Sequence, residues 1–212
     1  LNDRNNLTVG TLTSALLGST SGVTTSNGNV TISASADAAS TSGNLTLDQF
    51  INAGTAVVDL ASGKGAINEN ATVSAAIITA SQLRLTAVGT SLLNNANQVD
   101  TLAGAISGDA QGLDFRNARG LTIGSVAGTD GLTIGGAGSR GTLLLDTTAA
   151  PTGTGTLDQT QPIQAAGLLL RTNGDVTLTN PANAVASLAA DTAGSNLNYV
   201  DADNLTIGTL AP

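Results

Sequence analysis

The chain has 212 residues, of which 41% are hydrophobic, 10% charged and 1% aromatic, with 26 glycines and a net charge of −8. There is one Glu, one Lys and no Cys, Met, Trp or His, which excludes disulfides, thiolate metal sites and His- or Cys-based nucleophilic catalysis. Hydrophobic content this high with so little charge also excludes a disordered chain.

Ordinary soluble domains carry about 25% charged residues, and Glu and Lys collect on helix surfaces. Their near absence argues for an all-β chain with a Leu, Ile, Val and Ala core under a Thr, Ser, Asn and Gly surface. The seven cations are Arg4, Lys64, Arg84, Arg116, Arg119, Arg140 and Arg171, and only Arg116 and Arg119 are close in sequence. Nucleic-acid binding needs clustered cations that displace counterions, so it is excluded as a function. An anionic membrane surface is disfavoured on the same ground. No apolar run approaches the roughly 18 residues of a spanning helix. The sequence opens in mid-motif and reads as a segment of something longer.

Taken in order, the chain offers many strands of three or four residues. The first is Leu7-Thr8-Val9. Apolar-alternating pieces follow at Val30, Leu45, Val57, Ala76, Leu83, Leu92, Val99, Leu113, Leu121, Leu132, Leu143, Ile163, Leu168, Val176, Val185, Leu197 and Leu205. Clusters of Gly, Asn, Asp, Ser and Thr between them predict turns. Residues 182–190 lack charged helix formers and are predicted as strand. Residues 20–44 form an extra turn-rich stretch.

One tetrapeptide recurs: Leu7-Thr8-Val9-Gly10, Leu121-Thr122-Ile123-Gly124, Leu132-Thr133-Ile134-Gly135 and Leu205-Thr206-Ile207-Gly208. Each copy predicts a short strand with its Thr outward, closed by a glycine free to take unusual backbone angles. Leu121 and Leu205 lie 84 residues apart, and the sequence before them repeats as well. Asn94-Asn95-Ala96-Asn97-Gln98-Val99 matches Asn180-Pro181-Ala182-Asn183-Ala184-Val185, and Thr101-Leu102-Ala103 matches Ser187-Leu188-Ala189. Modules fall at about residues 1–12, 13–126 and 127–212 of a single repeat segment. The copy at Leu132, eleven residues after Leu121, is expected on another face of the same coil. Asn97 and Asn183 are expected at a bend, bonding the backbone of a neighbouring coil. The pattern predicts a right-handed parallel β-helix, or β-solenoid, of about nine to ten coils.

The order of these pieces carries a resemblance. It runs from an Ile-x-Ala segment (Ile78-Thr79-Ala80; Ile163-Gln164-Ala165) to a Leu-rich strand (Leu83-Arg84-Leu85; Leu168-Leu169-Leu170). Next come Gly174-Asp175-Val176-Thr177-Leu178, an Asn-x-Val step, a Leu-Ala strand and the Leu-Thr-Ile-Gly strand. This resembles the repeat region of filamentous-haemagglutinin-like exoproteins, the adhesins of two-partner secretion, best from Ala76 to Leu210. The resemblance implies a right-handed parallel β-helix and export through an outer-membrane transporter. It also implies display on, or release from, a Gram-negative cell surface, and adhesion or biofilm formation. The expected role is a non-catalytic shaft segment that contacts a host or cell-surface receptor or glycan. The alternative is a self-assembling extracellular filament, sheath or surface layer.

Catalytic readings are weaker. Gly136-Ala137-Gly138-Ser139-Arg140-Gly141 matches a dinucleotide fingerprint, but a Leu-rich strand follows it instead of a helix N-terminus. A β-helical polysaccharide hydrolase or lyase would draw on Asp109 with Asp114, Asp146, Asp175, and Asp201 with Asp203. Three aromatics, Phe50, Phe115 and Tyr199, are few for a sugar cleft. Asp201 and Asp203 are also the candidate ligands for calcium, without the Gly and distal Glu of an EF-hand loop. Sequons place candidate glycosylation at Asn6, Asn29, Asn44, Asn70 and Asn204, where Asn otherwise serves as a strand-entry turn. No enzyme activity and no organic cofactor is expected.

Overall fold

The computed structural model describes residues 1–34 and 43–209. Part of the turn-rich stretch at 20–44, and the last residues of the resemblance at Leu210, lie outside them. The described residues are all-β and contain no helix. Residues 182–190, the one place where a helix competed, supply the strand Ala184–Asp191.

Twenty strands join in one hydrogen-bonded sheet, and every pairing within it is parallel. The chain repeatedly lays a new strand beside one it made some twenty residues earlier. Leu83 of Ile78–Ala87 lies opposite Val58 on one side and Leu102 on the other. Because strand side chains alternate, stacking in register puts like on like. Leu47, Glu69, Leu93, Phe115, Leu145 and Leu170 form one inward column through successive pairings. Leu45, Leu113, Leu143 and Leu168 line a parallel one, and both feed a single aliphatic core.

The expected right-handed parallel β-helix of about nine to ten coils is corrected here. Five strands, Ser91–Ile106, Leu113–Asn117, Thr142–Asp146, Ile163–Arg171 and Leu132–Ile134, pair in turn and close back on the first. They make a closed parallel barrel with the remaining strands outside it. The physical reason lies in the longest strands. Ser91–Ile106 runs for 16 residues and holds Leu113–Asn117, Leu121–Ile123 and Leu132–Ile134 along its length. Ile163–Arg171 similarly holds Leu132–Ile134 at its start and Thr142–Asp146 at its end. Bends that keep their hydrogen bonds join rows that a β-helix would keep as separate faces.

The Leu-Thr-Ile-Gly copies acquire a structural meaning. Thr122 and Ile123 lie opposite Thr101 and Leu102, and Thr206 and Ile207 lie opposite Ser187 and Leu188, so the sequence repeat is a repeat of register. The copy at Leu132 pairs further along the same partner strand, opposite Gly104, Ala105 and Ile106. Between the two copies the chain loops out as an antiparallel ribbon, Ser125–Val126 with Thr129–Asp130. Of the four motif glycines only Gly135 has a positive φ, 88°, so the others are not required for left-handed backbone. Gly104 is needed for a different reason. A Cβ there would collide with the Leu85 carbonyl oxygen.

Core and surface leucines should therefore differ sharply. Leu85→Ala, in the aliphatic core and fully buried, is expected to cost about 2–5 kcal/mol in urea unfolding. Leu12→Ala, 78% exposed, should stay within about 0.5 kcal/mol.

Candidate functional site

The outer faces are polar and largely self-paired. Arg84 grips Asp59 on the neighbouring strand through two nitrogens, Nε at 2.7 Å and Nη2 at 2.5 Å. Arg116, Asp146, Arg171 and Asp191 stack in register as alternating charges. The Arg116–Asp146 approach is 3.9 Å. Arg119 donates to Asp100 at 3.1 Å and to Gln98 at 3.0 Å. Such partly exposed pairs are worth little individually, but they set which strand lies beside which.

The acidic candidates are spread out and engaged. Asp109 Oδ1 accepts the Gly138 and Ser139 N–H groups at 3.0 and 3.3 Å, so the glycine-rich segment 136–141 closes onto a carboxylate, a poor receptor for a phosphate. Asp114 lies opposite Leu144 while Asp146 faces Arg116. Burial raises the pKa of Asp114 and Arg171 pulls it back. Asp175 Oδ1 accepts from the Asn196 backbone and side chain. Asp201 Oδ2 accepts the Val185 N–H at 3.1 Å and the Tyr199 hydroxyl at 2.7 Å, and Oδ1 accepts the Asp203 N–H at 3.0 Å. Burial, then this hydrogen bond to Asp201, raises the Tyr199 pKa. The Asp203 residue is exposed. Among the described residues no group of three or more acidic side chains is placed to hold a metal ion.

The buried polar groups explain the bends. Asn97 and Asn183 are fully buried. Asn97 Oδ1 accepts the Ile78 N–H at 2.7 Å, and its amide donates to the Arg116, Asn95 and Leu93 carbonyls. Asn183 Oδ1 accepts the Ile163 N–H at 2.9 Å, and its amide donates to the Val200 carbonyl at 2.9 Å. Asn117, opposite Asn97, repeats the device on Val99 and was not singled out by the sequence reading. Asp201 makes the same type of bond to Val185. In each case a side-chain oxygen stands in for a missing strand carbonyl, so the backbone can bend while its N–H groups stay paired.

The sequon asparagines show a second ladder. Asn6 Oδ1 accepts the Asn44 N–H at 2.9 Å, and Asn44 Oδ1 accepts the Ala66 N–H at 2.8 Å. Asn29 Oδ1 accepts the Val57 N–H at 3.2 Å. Asn70 receives Thr72 and donates to Asp48. The first three guide strand entry, Asn70 shapes the turn after Ile67–Glu69, and Asn204 is exposed.

The residue that sequence reasoning missed is Glu69, the sole Glu. It is 7% exposed and occupies the inward column between Leu47 and Leu93. Its Oε2 accepts the Asn95 N–H at 2.8 Å, and among the described residues its Oε1 has no hydrogen-bond partner. Burial pushes its pKa up to about 7, opposed by the Asn95 N–H and the Asn97 amide. A signal existed: Ile67-Asn68-Glu69 stands in register with Leu45-Thr46-Leu47, so Glu fills a slot that elsewhere holds Leu.

Among shallow depressions, one of about 780 Å³ opens beside the first strands, lined by Leu7, Val9, Leu12, Val23 and Ile32 with Asp48 and Asn70. Another, of about 290 Å³, sits on Phe50, Asn52, Ala75, Ile77 and Thr79. Neither gathers the paired carboxylates of a glycosidase. Comparison with protein-family models, with curated proteins and with solved structures found no match.

The Glu69 geometry fixes a pH dependence. Its folded pKa lies above its unfolded value, so its stabilising contribution is full below the ordinary glutamate range and is lost as pH rises through about 7. The loss amounts to roughly 3 kcal/mol. Glu69→Gln should remove this slope, giving a protein more stable than the parent at pH 8 and little changed at pH 4, measured by urea unfolding across pH.

Proposed function

We propose that this chain is a non-catalytic structural and adhesive segment of a large secreted bacterial surface exoprotein, of the filamentous-haemagglutinin-like kind. The observation that supports it is the continuity of the parallel ladders. From Asn2–Asp3 to Thr206–Ile207, successive strands add in register over one aliphatic core. Polar side chains are spent on the neighbouring strand, as in the Asp59–Arg84 pair and the Asn6–Asn44 ladder. Tension along such a segment is shared by many backbone hydrogen bonds, which suits a shaft. The outward Thr, Ser and Asn rows offer hydroxyl and amide groups to a receptor or glycan on a host or bacterial surface. Export through an outer-membrane transporter, and an extracellular or cell-surface location in a Gram-negative bacterium, belong to the same proposal.

A second reading is favoured by the outermost strands. Among the described residues, Leu7–Val9 and Val23–Thr24 at one extremity, and Leu197–Tyr199 and Thr206–Ile207 at the other, each pair on one side only. Unpaired parallel edges can add another chain, so self-assembly into filaments or a sheath is the competing role.

Beads coated with the purified chain should be retained on epithelial cells or bacterial lawns under flow, with no turnover of acidic polysaccharides. Loss of retention, or release of unsaturated or reducing sugar ends, would contradict the proposal. Filaments in electron micrographs of the purified chain would transfer the role to self-assembly.

A further inference from the structure

Two asparagines of the chain stand directly before a glycine, in Asn27-Gly28 and Asn173-Gly174. Such a pair is open to one reaction above others. The backbone nitrogen that follows can attack the asparagine Cγ, and glycine, having no Cβ, neither screens that nitrogen nor restricts its approach. Both pairs have small polar flanks, Ser26 and Asn29 at one and Thr172 and Asp175 at the other. Any difference between them therefore comes from the fold.

Both side chains act as clasps. Asn27 Oδ1 accepts the Thr55 N–H at 3.0 Å, and Asn173 Oδ1 accepts the Gly155 N–H at 3.0 Å. A glycine makes room for each, because a Cβ on Gly54 or Gly155 would collide with the asparagine oxygen. The amide nitrogens differ. Asn173 Nδ2 donates to the Ala150 carbonyl at 2.7 Å and to the Thr148 carbonyl at 3.4 Å. Gly174 is buried against the backbone of Gly155 and Thr156. Asn27 and Gly28 are both exposed, and among the described residues Asn27 Nδ2 has no hydrogen-bond partner. Ring closure requires the side chain to turn until Cγ meets the next nitrogen. At Asn27 that turn breaks one hydrogen bond. At Asn173 it breaks three, within packed backbone.

We propose that Asn27 is a self-modification site that deamidates through a succinimide, and that the fold protects Asn173 from the same reaction. The Gly28 nitrogen gives up its proton and bonds to Asn27 Cγ. The Cγ–Nδ2 bond breaks, and Nδ2 leaves as ammonia with a proton in exchange. Water then opens the imide at either carbonyl, which leaves aspartate or isoaspartate and a new negative charge. Isoaspartate also lengthens the main chain by a carbon and carries the acceptor away from the Thr55 N–H. The site behaves in this way whether or not the chain is an adhesin shaft.

Peptide mapping of the full chain tests it. Trypsin cuts after Arg4, Lys64 and Arg171, which puts Asn27 in fragment 5–64 and Asn173 in fragment 172–212. When the folded chain is aged in mildly alkaline buffer, the amide-to-acid mass gain should appear in the first fragment on the order of thirtyfold faster than in the second, the weight of two further hydrogen bonds. Fragmentation should place the gain at residue 27, with isoaspartate beside aspartate. In urea the two sites should convert at matching rates. Gly28→Ala should suppress the conversion without lowering the melting temperature, because a Cβ there meets nothing closer than Thr25 Cβ at 3.6 Å. Equal rates at the two sites of the folded chain would overturn the proposal. So would conversion at Asn27 that Gly28→Ala leaves untouched, or an unchanged fragment 5–64 over a time in which the chain in urea converts.

Discussion

The structure depends on parallel pairing in register between strands roughly twenty to forty residues apart in sequence. Parallel ladders have no tight-turn solution, and each strand waits for the chain to travel away and return. What makes the return specific is the alternation of inward aliphatic and outward polar residues. A slip by one position would turn an entire Leu row outward. The columns through Leu47, Leu93, Phe115, Leu145 and Leu170 are the result of that constraint.

Bends are the weak points of such a design, because a bending strand loses backbone partners. Buried asparagines resolve it. Asn97, Asn117 and Asn183 each present an oxygen to the N–H of an incoming strand and an amide to carbonyls left over at the bend. An aliphatic side chain at these points would leave buried donors unpaired. Glu69 is the exception that the column tolerates. Among the described residues one of its oxygens is used and the other is not, so the site favours the protonated acid over the carboxylate.

The all-β character was legible in the sequence, and the β-helix was not borne out. Near absence of Glu and Lys pointed to strands, and the Leu-Thr-Ile-Gly copies, with the matching Asn-x-Val steps, marked recurring register. Asn97 and Asn183 were legible as bend residues because they repeat. The closed barrel was not. Asn94-Asn95-Ala96-Asn97-Gln98 reads as a turn, since Asn usually ends a strand, yet it lies inside the unbroken Ser91–Ile106. Its ladder to Leu113–Asn117 shifts register between Leu93 and Asn97, a side-chain amide takes up backbone groups at the bend, and local pattern does not record a partner 19 residues away. The hairpin at Thr11–Ser21 was hidden for the opposite reason. Its Ser and Thr alternation carries no inward apolar face, so nothing marked it as strand. Asp201 looked like a cation ligand by its spacing to Asp203, whereas its oxygens are committed to Val185, Tyr199 and Asp203.

Native-state hydrogen exchange tests the central claim, that a ring of parallel strands is the cooperative centre from which the outer ladders extend. Slowest exchange is expected in Ser91–Ile106, Leu113–Asn117, Thr142–Asp146 and Ile163–Arg171. Protection should fall progressively toward Leu7–Val9 on one side and Leu197–Tyr199 on the other. The Ile78, Val99 and Ile163 amides, bonded to asparagine side chains, should be as protected as their ladder neighbours. Fast exchange at those three amides, or maximal protection at the outermost strands, would contradict the account.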